Sequence, residues 1–180
     1  MHALRTAITI AWIIFLVYWL ASAFDVKEGR ASGRRFPMTG LTALSVFLLL
    51  RVFRGGSLAV HSPVLETIGA VVFASGIALA VWARVQLGRN WGLPMTQKDE
   101  PELVTAGPYR FVRHPIYSGL LAGLLGTTLA NNLIGLIIVA ILGAYFYYSA
   151  SVEEKNLTAT FPTAYPAYRA RTKMLIPLVL

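Results

Sequence analysis

The sequence predicts an all-α integral membrane protein with five transmembrane helices and its chemistry gathered at one end of the bundle. Three observations predict this. Five apolar runs are separated by polar breaks rich in Gly and Pro. Apolar residues make up 56% of the 180-residue chain, more than a soluble single domain needs. The Lys and Arg residues are also spread very unevenly between alternate breaks, as expected when one side of a membrane faces the cytoplasm.

The first span is Leu4 to Phe24, which carries Arg5 near its start. Its length of about twenty residues, at about 1.5 Å per residue, crosses a hydrocarbon core of about 30 Å. Ala21-Ser22-Ala23 resembles a signal-peptidase site, but the run exceeds an ordinary h-region and is expected to be a retained helix. Asp25 to Pro37 is polar and carries Lys27, Arg30, Arg34 and Arg35, a loop at the lipid headgroups. Met38 to Phe53 is a short second span, and Gly55-Gly56-Ser57 opens the next turn. Leu65 to Leu87 is the third span, with Glu66 near a helix N-terminus that tolerates an acid and Arg84 placed to snorkel to the interface. Gly88 to Glu102 is polar, and Trp91 reads as an interfacial anchor.

Ile116 to Ala130 is the fourth span. It is only about 22 Å long, so it has to be shielded by neighbours or sit in thinned bilayer. Gly119 and Gly123 lie four apart and admit close approach of another helix. Asn131-Asn132 makes a turn, Leu133 to Ala150 is the fifth span, and Ser151 to Phe161 prolongs it. The tail, Pro162 to Leu180, is broken by three prolines and carries Arg169, Arg171 and Lys173 beside Tyr165 and Tyr168. Thirteen of the sixteen Lys and Arg fall on one side, leaving Arg5, Arg51 and Arg54 on the other. The N-terminus is then expected outside and the C-terminus in the cytoplasm. Residues 1–180 read as one membrane domain, with 1–64 an N-terminal helix pair and 65–180 the functional core.

Composition also excludes. A net charge of +8 suits nucleic acid in a soluble protein, but here it marks membrane orientation, so no nucleic-acid partner is expected. There is no cysteine, so disulfides, thiolate nucleophiles and Cys-ligated metals are ruled out. The three histidines are far apart, and no metal site is expected.

Two polar clusters on the cytoplasmic side read as halves of one site. The first is Leu103 to Gly119 and the second is Glu153-Glu154 at the foot of the fifth span. Gly107-Pro108 forces a turn, and His114-Pro115 starts a helix whose free N–H groups favour an anion. An arginine alone reads as a contact to lipid phosphate, but a His and a Tyr117 are not needed for anchoring. Glu153 and Glu154 point about 100° apart on a helix, so one faces the bundle and the other caps or meets the tail. An anion-binding helix start opposite a carboxylate suits a zwitterionic amino-acid group.

The residues Gly107, Pro108, Tyr109, Arg110, Arg113, His114, Pro115, Tyr117 and Gly119 carry a resemblance when followed by Glu153, Glu154, Leu157, Phe161, Tyr165, Tyr168 and Leu175-Ile176-Pro177. Over roughly residues 84 to 177 the chain resembles the isoprenylcysteine carboxyl methyltransferases, membrane enzymes that use S-adenosylmethionine. Phospholipid methyltransferases share the paired glutamates, and sterol reductases share a related Arg-His-Pro plus Tyr pattern. Pro162 stands where the family usually has glycine. The resemblance implies a cytoplasmic cofactor pocket made by the loop before the fourth helix, the start of that helix, the end of the fifth and the tail. It implies that His114, Tyr117 and Glu153 or Glu154 hold the amino-acid part of the cofactor. It further implies that Leu103, Val104, Thr105, Gly107 and Tyr109 line its adenosine, and that Arg113 and Arg171 meet a substrate carboxylate. The acceptor is a lipophilic or prenylated molecule arriving from the bilayer, with membrane lipid around the protein. Two other classes stay open: an NADPH-dependent membrane reductase, and a non-enzymatic membrane scaffold.

Overall fold

The computed structural model describes residues 2–22, 58–91 and 102–177. The second span expected at Met38 to Phe53, and the loop before it, lie outside the described residues. The described chain is helical, with no strand beyond two isolated bridges. We number its helices α1 (His2–Ser22), α2 (Pro63–Leu87), α3 (Pro115–Asn131), α4 (Gly135–Thr160) and α5 (Ala164–Arg169). Short 3-10 turns occupy Gly88–Asn90 and Gly107–Arg110. Three helices, α1 from Ala3, α2 and α4, are long and apolar enough to cross a bilayer.

α2 and α3 form the spine. Gly69 and Gly76 on α2 are seven apart, and Gly119, Gly123, Gly126 and Ala130 on α3 alternate by four and three, so each helix keeps one small-residue stripe toward the other. The backbones meet there. A Cβ on Gly126 would lie 2.2 Å from Phe73 N, and one on Gly76 would lie 2.4 Å from Gly123 N. α3 is 17 residues long and buries ten of them, which is how a helix too short to cross comfortably is kept from lipid. Its buried Thr127, Thr128 and Asn131 donate to carbonyls four residues back, which satisfies them without water.

α1 lies across both. Trp12 packs on Phe15 and Phe73 and donates from Nε1 to Thr127 Oγ1 at 2.9 Å. At one end Arg5 reaches Glu66 at 3.6 Å and donates to Val60 O, so the buried acid in the first turn of α2 has a cation beside it. At the other end Arg84 departs from expectation. It is 5% exposed, donating to Ser22 O at 2.5 Å and Gly88 O at 2.8 Å, with its guanidinium 4.8 Å from the Trp91 ring. A helix-end carbonyl at Ser22 and a turn carbonyl at Gly88 close by make folding inward better than snorkelling. Trp91 is likewise buried, against Trp19, and is a core residue instead of an interfacial anchor.

Candidate cofactor site at the foot of the bundle

Residues 107–118 build one half of the site. Gly107 has φ +61, a left-handed conformation that suits glycine, and turns the chain into the Gly107–Arg110 helical turn. Pro115 opens α3 with His114 as its cap residue, as the sequence suggests. The His114 side chain does not cap its own helix, which leaves the imidazole to point at α4.

The second half is the foot of α4, which continues unbroken to Thr160. Glu154 is buried at 4% exposure, while the Glu153 side chain keeps 24%. Tyr117 donates to Glu153 Oε1 at 2.5 Å. His114 sits between the two acids: Nδ1 is 3.4 Å from Glu153 Oε2 and Nε2 is 3.5 Å from Glu154 Oε1. The second approach is an ion-pair distance without an aligned hydrogen bond. Only the imidazolium carries N–H on both ring nitrogens, so two flanking carboxylates favour the charged form. Burial pulls the His114 pKa down, but contact with Glu153 and Glu154 outweighs it and raises the pKa above its ordinary 6.5. Three rings stack beneath: His114 on Tyr117 at 5.6 Å and Tyr117 on Phe146 at 4.6 Å, both nearly parallel.

The C-terminal strap, residues 170–177, closes the site. Arg113 N donates to Lys173 O at 2.8 Å and His114 N to Met174 O at 3.1 Å. The backbone N–H groups of Arg113 and His114 are therefore taken up by the strap. Ser118 Oγ donates to Leu175 O at 2.5 Å and Tyr168 OH to Tyr109 O at 2.6 Å. Burial pushes the Tyr168 phenol up to about 12, and it likewise raises Tyr109 and Tyr165, so all three are neutral hydroxyls at pH 7.

The structure thus gathers Arg113, His114, Tyr117, Glu153 and Glu154 into one contacting group. Val104 packs against the apolar cluster that holds Tyr109 and Tyr117. Leu103 is half-buried and Thr105 exposed in the extended stretch before Gly107. Arg171 is on the exposed side of the strap, its Nε donating to Ala167 O at 3.3 Å. Arg113, expected on an acceptor carboxylate, instead donates from Nε to Glu154 Oε1 at 2.6 Å and from Nη1 to the carbonyls of Arg169 and Thr172.

Three contributors were not singled out from the sequence. Arg169 Nε lies 3.4 Å from Glu154 Oε2. Phe146 completes the ring stack, and its seven-residue spacing from Glu153 puts both on one helix face, a signal that was available. Tyr165 is 1% exposed, and its hydroxyl has no hydrogen-bond partner among the described residues.

Apolar helices ending in a buried cluster of carboxylates, imidazole and phenol define a helical integral membrane protein with a polar site at one end. Its relatives say which kind. The phospholipid methyltransferase family model matches residues 65–164, and the chain belongs to that family of membrane methyltransferases. It is related to the isoprenylcysteine carboxyl methyltransferases. It is 28% identical to the protein-S-isoprenylcysteine O-methyltransferase of Schizosaccharomyces pombe, over 94% of this chain and 73% of that protein. It is 32% identical to the cobalt-zinc-cadmium resistance protein CzcN of Cupriavidus metallidurans, over 64% of this chain and 50% of that one. It is 33% identical to methanethiol S-methyltransferase 1 of Bradyrhizobium diazoefficiens, over 43% of this chain and 27% of that one. These names differ in what they say of the protein's task.

Proposed function

We propose that the protein transfers a methyl group from S-adenosylmethionine to the carboxylate of a lipophilic, prenylcysteine-like acceptor. The observation that carries this is Glu153, held by Tyr117 and beside His114 at the foot of a membrane helix, in a chain of a methyltransferase family. The donor set fits the amino-acid group of such a cofactor. A carboxylate recognises its ammonium, and a protonated imidazole recognises its carboxylate. Between the two acids, Glu153 is the better partner for the ammonium, because it retains exposure while Glu154 is buried against two arginines. Leu103, Val104, Thr105, Gly107 and Tyr109 are proposed to line the adenosine.

The bound cofactor supplies a methyl group activated by a sulfonium charge. The protein's own residues have a modest task. An acceptor carboxylate with a pKa of about 4 is already ionised at pH 7, so no general base is required. Arg171, exposed on the strap, is the arginine proposed to orient that carboxylate through parallel hydrogen bonds. Alignment and exclusion of water are then the main sources of rate. In this account residues 65–180 carry the reaction and 1–64 support it. The site faces the cytoplasm with the N-terminus outside, and the acceptor enters from the bilayer.

Titrating the purified protein with S-adenosylmethionine, S-adenosylhomocysteine and NADPH tests this. Binding of the first two without the third is expected. Binding of NADPH alone makes the protein a reductase, and binding of none contradicts the proposal. Turnover screened over prenylcysteine, long-chain amines and thiols identifies the acceptor class.

A further inference from the structure

We propose that Arg113 is a positioning residue: it clamps the C-terminal strap to Glu154 and thereby fixes the geometry of the site, without touching the acceptor. The guanidinium has five N–H groups. Its single Nε–H goes to Glu154 Oε1 at 2.6 Å, and Nη1, which carries two, faces the carbonyls of Arg169 and Thr172. The side chain is 7% exposed and that of Glu154 is 5% exposed. An arginine this buried, with three of its five N–H groups directed at fixed acceptors, is held in place by the protein's own groups.

The connections explain what the clamp does. Arg113 belongs to the segment before α3, Glu154 to α4, Arg169 to the end of α5 and Thr172 to the strap that follows, so one side chain joins four parts of the chain. Its own N–H donates to Lys173 O at 2.8 Å, and Val112 pairs with Lys173 in a parallel bridge, so backbone and side chain grip the same few residues. Glu154 Oε1 is also 3.5 Å from His114 Nε2. Holding that oxygen holds one side of the imidazole, and the opposite nitrogen is then turned to Glu153. Loss of the guanidinium takes from the buried Glu154 carboxylate its shortest ion pair and leaves it only the exposed Arg169 at 3.4 Å and His114 at 3.5 Å. His114 is drawn toward Glu154, and the strap is released.

The part of this that concerns cofactor affinity rests on the methyltransferase reading; the clamp itself does not. The full-length protein in lipid nanodiscs is compared with Arg113→Ala, Arg113→Lys and Glu154→Gln. Trypsin, which cuts after Arg169, Arg171 and Lys173, reads whether the strap is closed. Arg113→Ala is expected to speed cleavage there by about tenfold or more, as local opening becomes easier. Calorimetric affinity for S-adenosylhomocysteine is expected to fall by about a hundredfold, the scale of a broken buried ion pair. The KM for S-adenosylmethionine rises with it, while the KM for a prenylcysteine acceptor stays within about twofold. Arg113→Lys, which keeps the charge but not the fork, falls between wild type and Arg113→Ala on both readouts. If Arg113→Ala does not fold, Arg113→Lys and Glu154→Gln are compared with wild type, and both are expected to open the strap.

Unchanged cleavage and unchanged cofactor affinity, with a raised acceptor KM, would overturn the clamp and put Arg113 on the acceptor. A wild-type protein that binds no S-adenosylhomocysteine removes the methyltransferase reading, while the cleavage comparison still decides the clamp.

Discussion

The two sides of α3 are built on opposite principles. Toward α2 it offers Gly119, Gly123 and Gly126, and backbone meets backbone. Toward α4 it offers Tyr117, and the contact is a ring stack on Phe146 and a hydrogen bond to Glu153. The first side leaves no room for a side chain and no polar group to react. The second is made of side chains that titrate, donate and stack. A rigid seam on one face lets the other face hold separate charged groups at fixed distances, which is what a binding site requires.

The sharpest way to break this contrast is to make similar changes on the two sides. Gly126→Ala puts a Cβ 2.2 Å from Phe73 N and is expected to cost about 3 kcal/mol. Gly143→Ala on α4 meets only Leu121 Cδ2, at 4.0 Å, and is expected to change stability by under about 1 kcal/mol, on the stabilising side. Thermal unfolding in nanodiscs measures both. Equal effects would mean that the α2–α3 seam is not the rigid side.

A smaller effect tests the reactive side. Tyr117→Phe keeps the stack on Phe146 but removes the donor to Glu153. A hydrogen bond to a charged group contributes about 1.5–3 kcal/mol, so affinity for S-adenosylhomocysteine should fall by about tenfold or more, with little change in unfolding temperature. A large fall in unfolding temperature with affinity intact would make Tyr117 part of the scaffold instead.

The smallest expected effect is the pH response. The folded-state pKa of His114 is raised, so its contribution to stability is fully present below the ordinary value of 6.5 and is lost as pH rises through the raised value. The unfolding temperature should therefore decline as pH rises from 6.5 to the raised value. His114→Gln should flatten this part of the curve. An unchanged alkaline slope in the variant would assign the titration to another group.

Much of this was legible beforehand because it depends on local rules. Pro115 at the first helical position marks the start of α3, Gly107 marks a turn, and spacing by four marks a face that another helix can approach. The pairing of His114 with the two acids depended on bringing distant clusters to the same membrane end, which charge asymmetry suggested. What was not legible depends on which neighbour a long side chain finds. Arg84 and Trp91 look like interfacial residues by type and position, but carbonyls at Ser22 and Gly88 and the ring of Trp19 make the interior the better solvent for them. The contacts of Arg113 with the carbonyls of Arg169 and Thr172 were not legible either, because the positions of these carbonyls follow from the backbone path at the end of α5 and beyond it, and not from their residue types.

The most direct test of the central claim is the affinity of Glu153→Gln for S-adenosylhomocysteine. The substitution keeps size and an acceptor for Tyr117 while removing the charge proposed to face the cofactor ammonium. The account predicts a loss of affinity of about tenfold or more with only a small fall in unfolding temperature, from the lost contact with His114. Wild-type affinity in Glu153→Gln would contradict it.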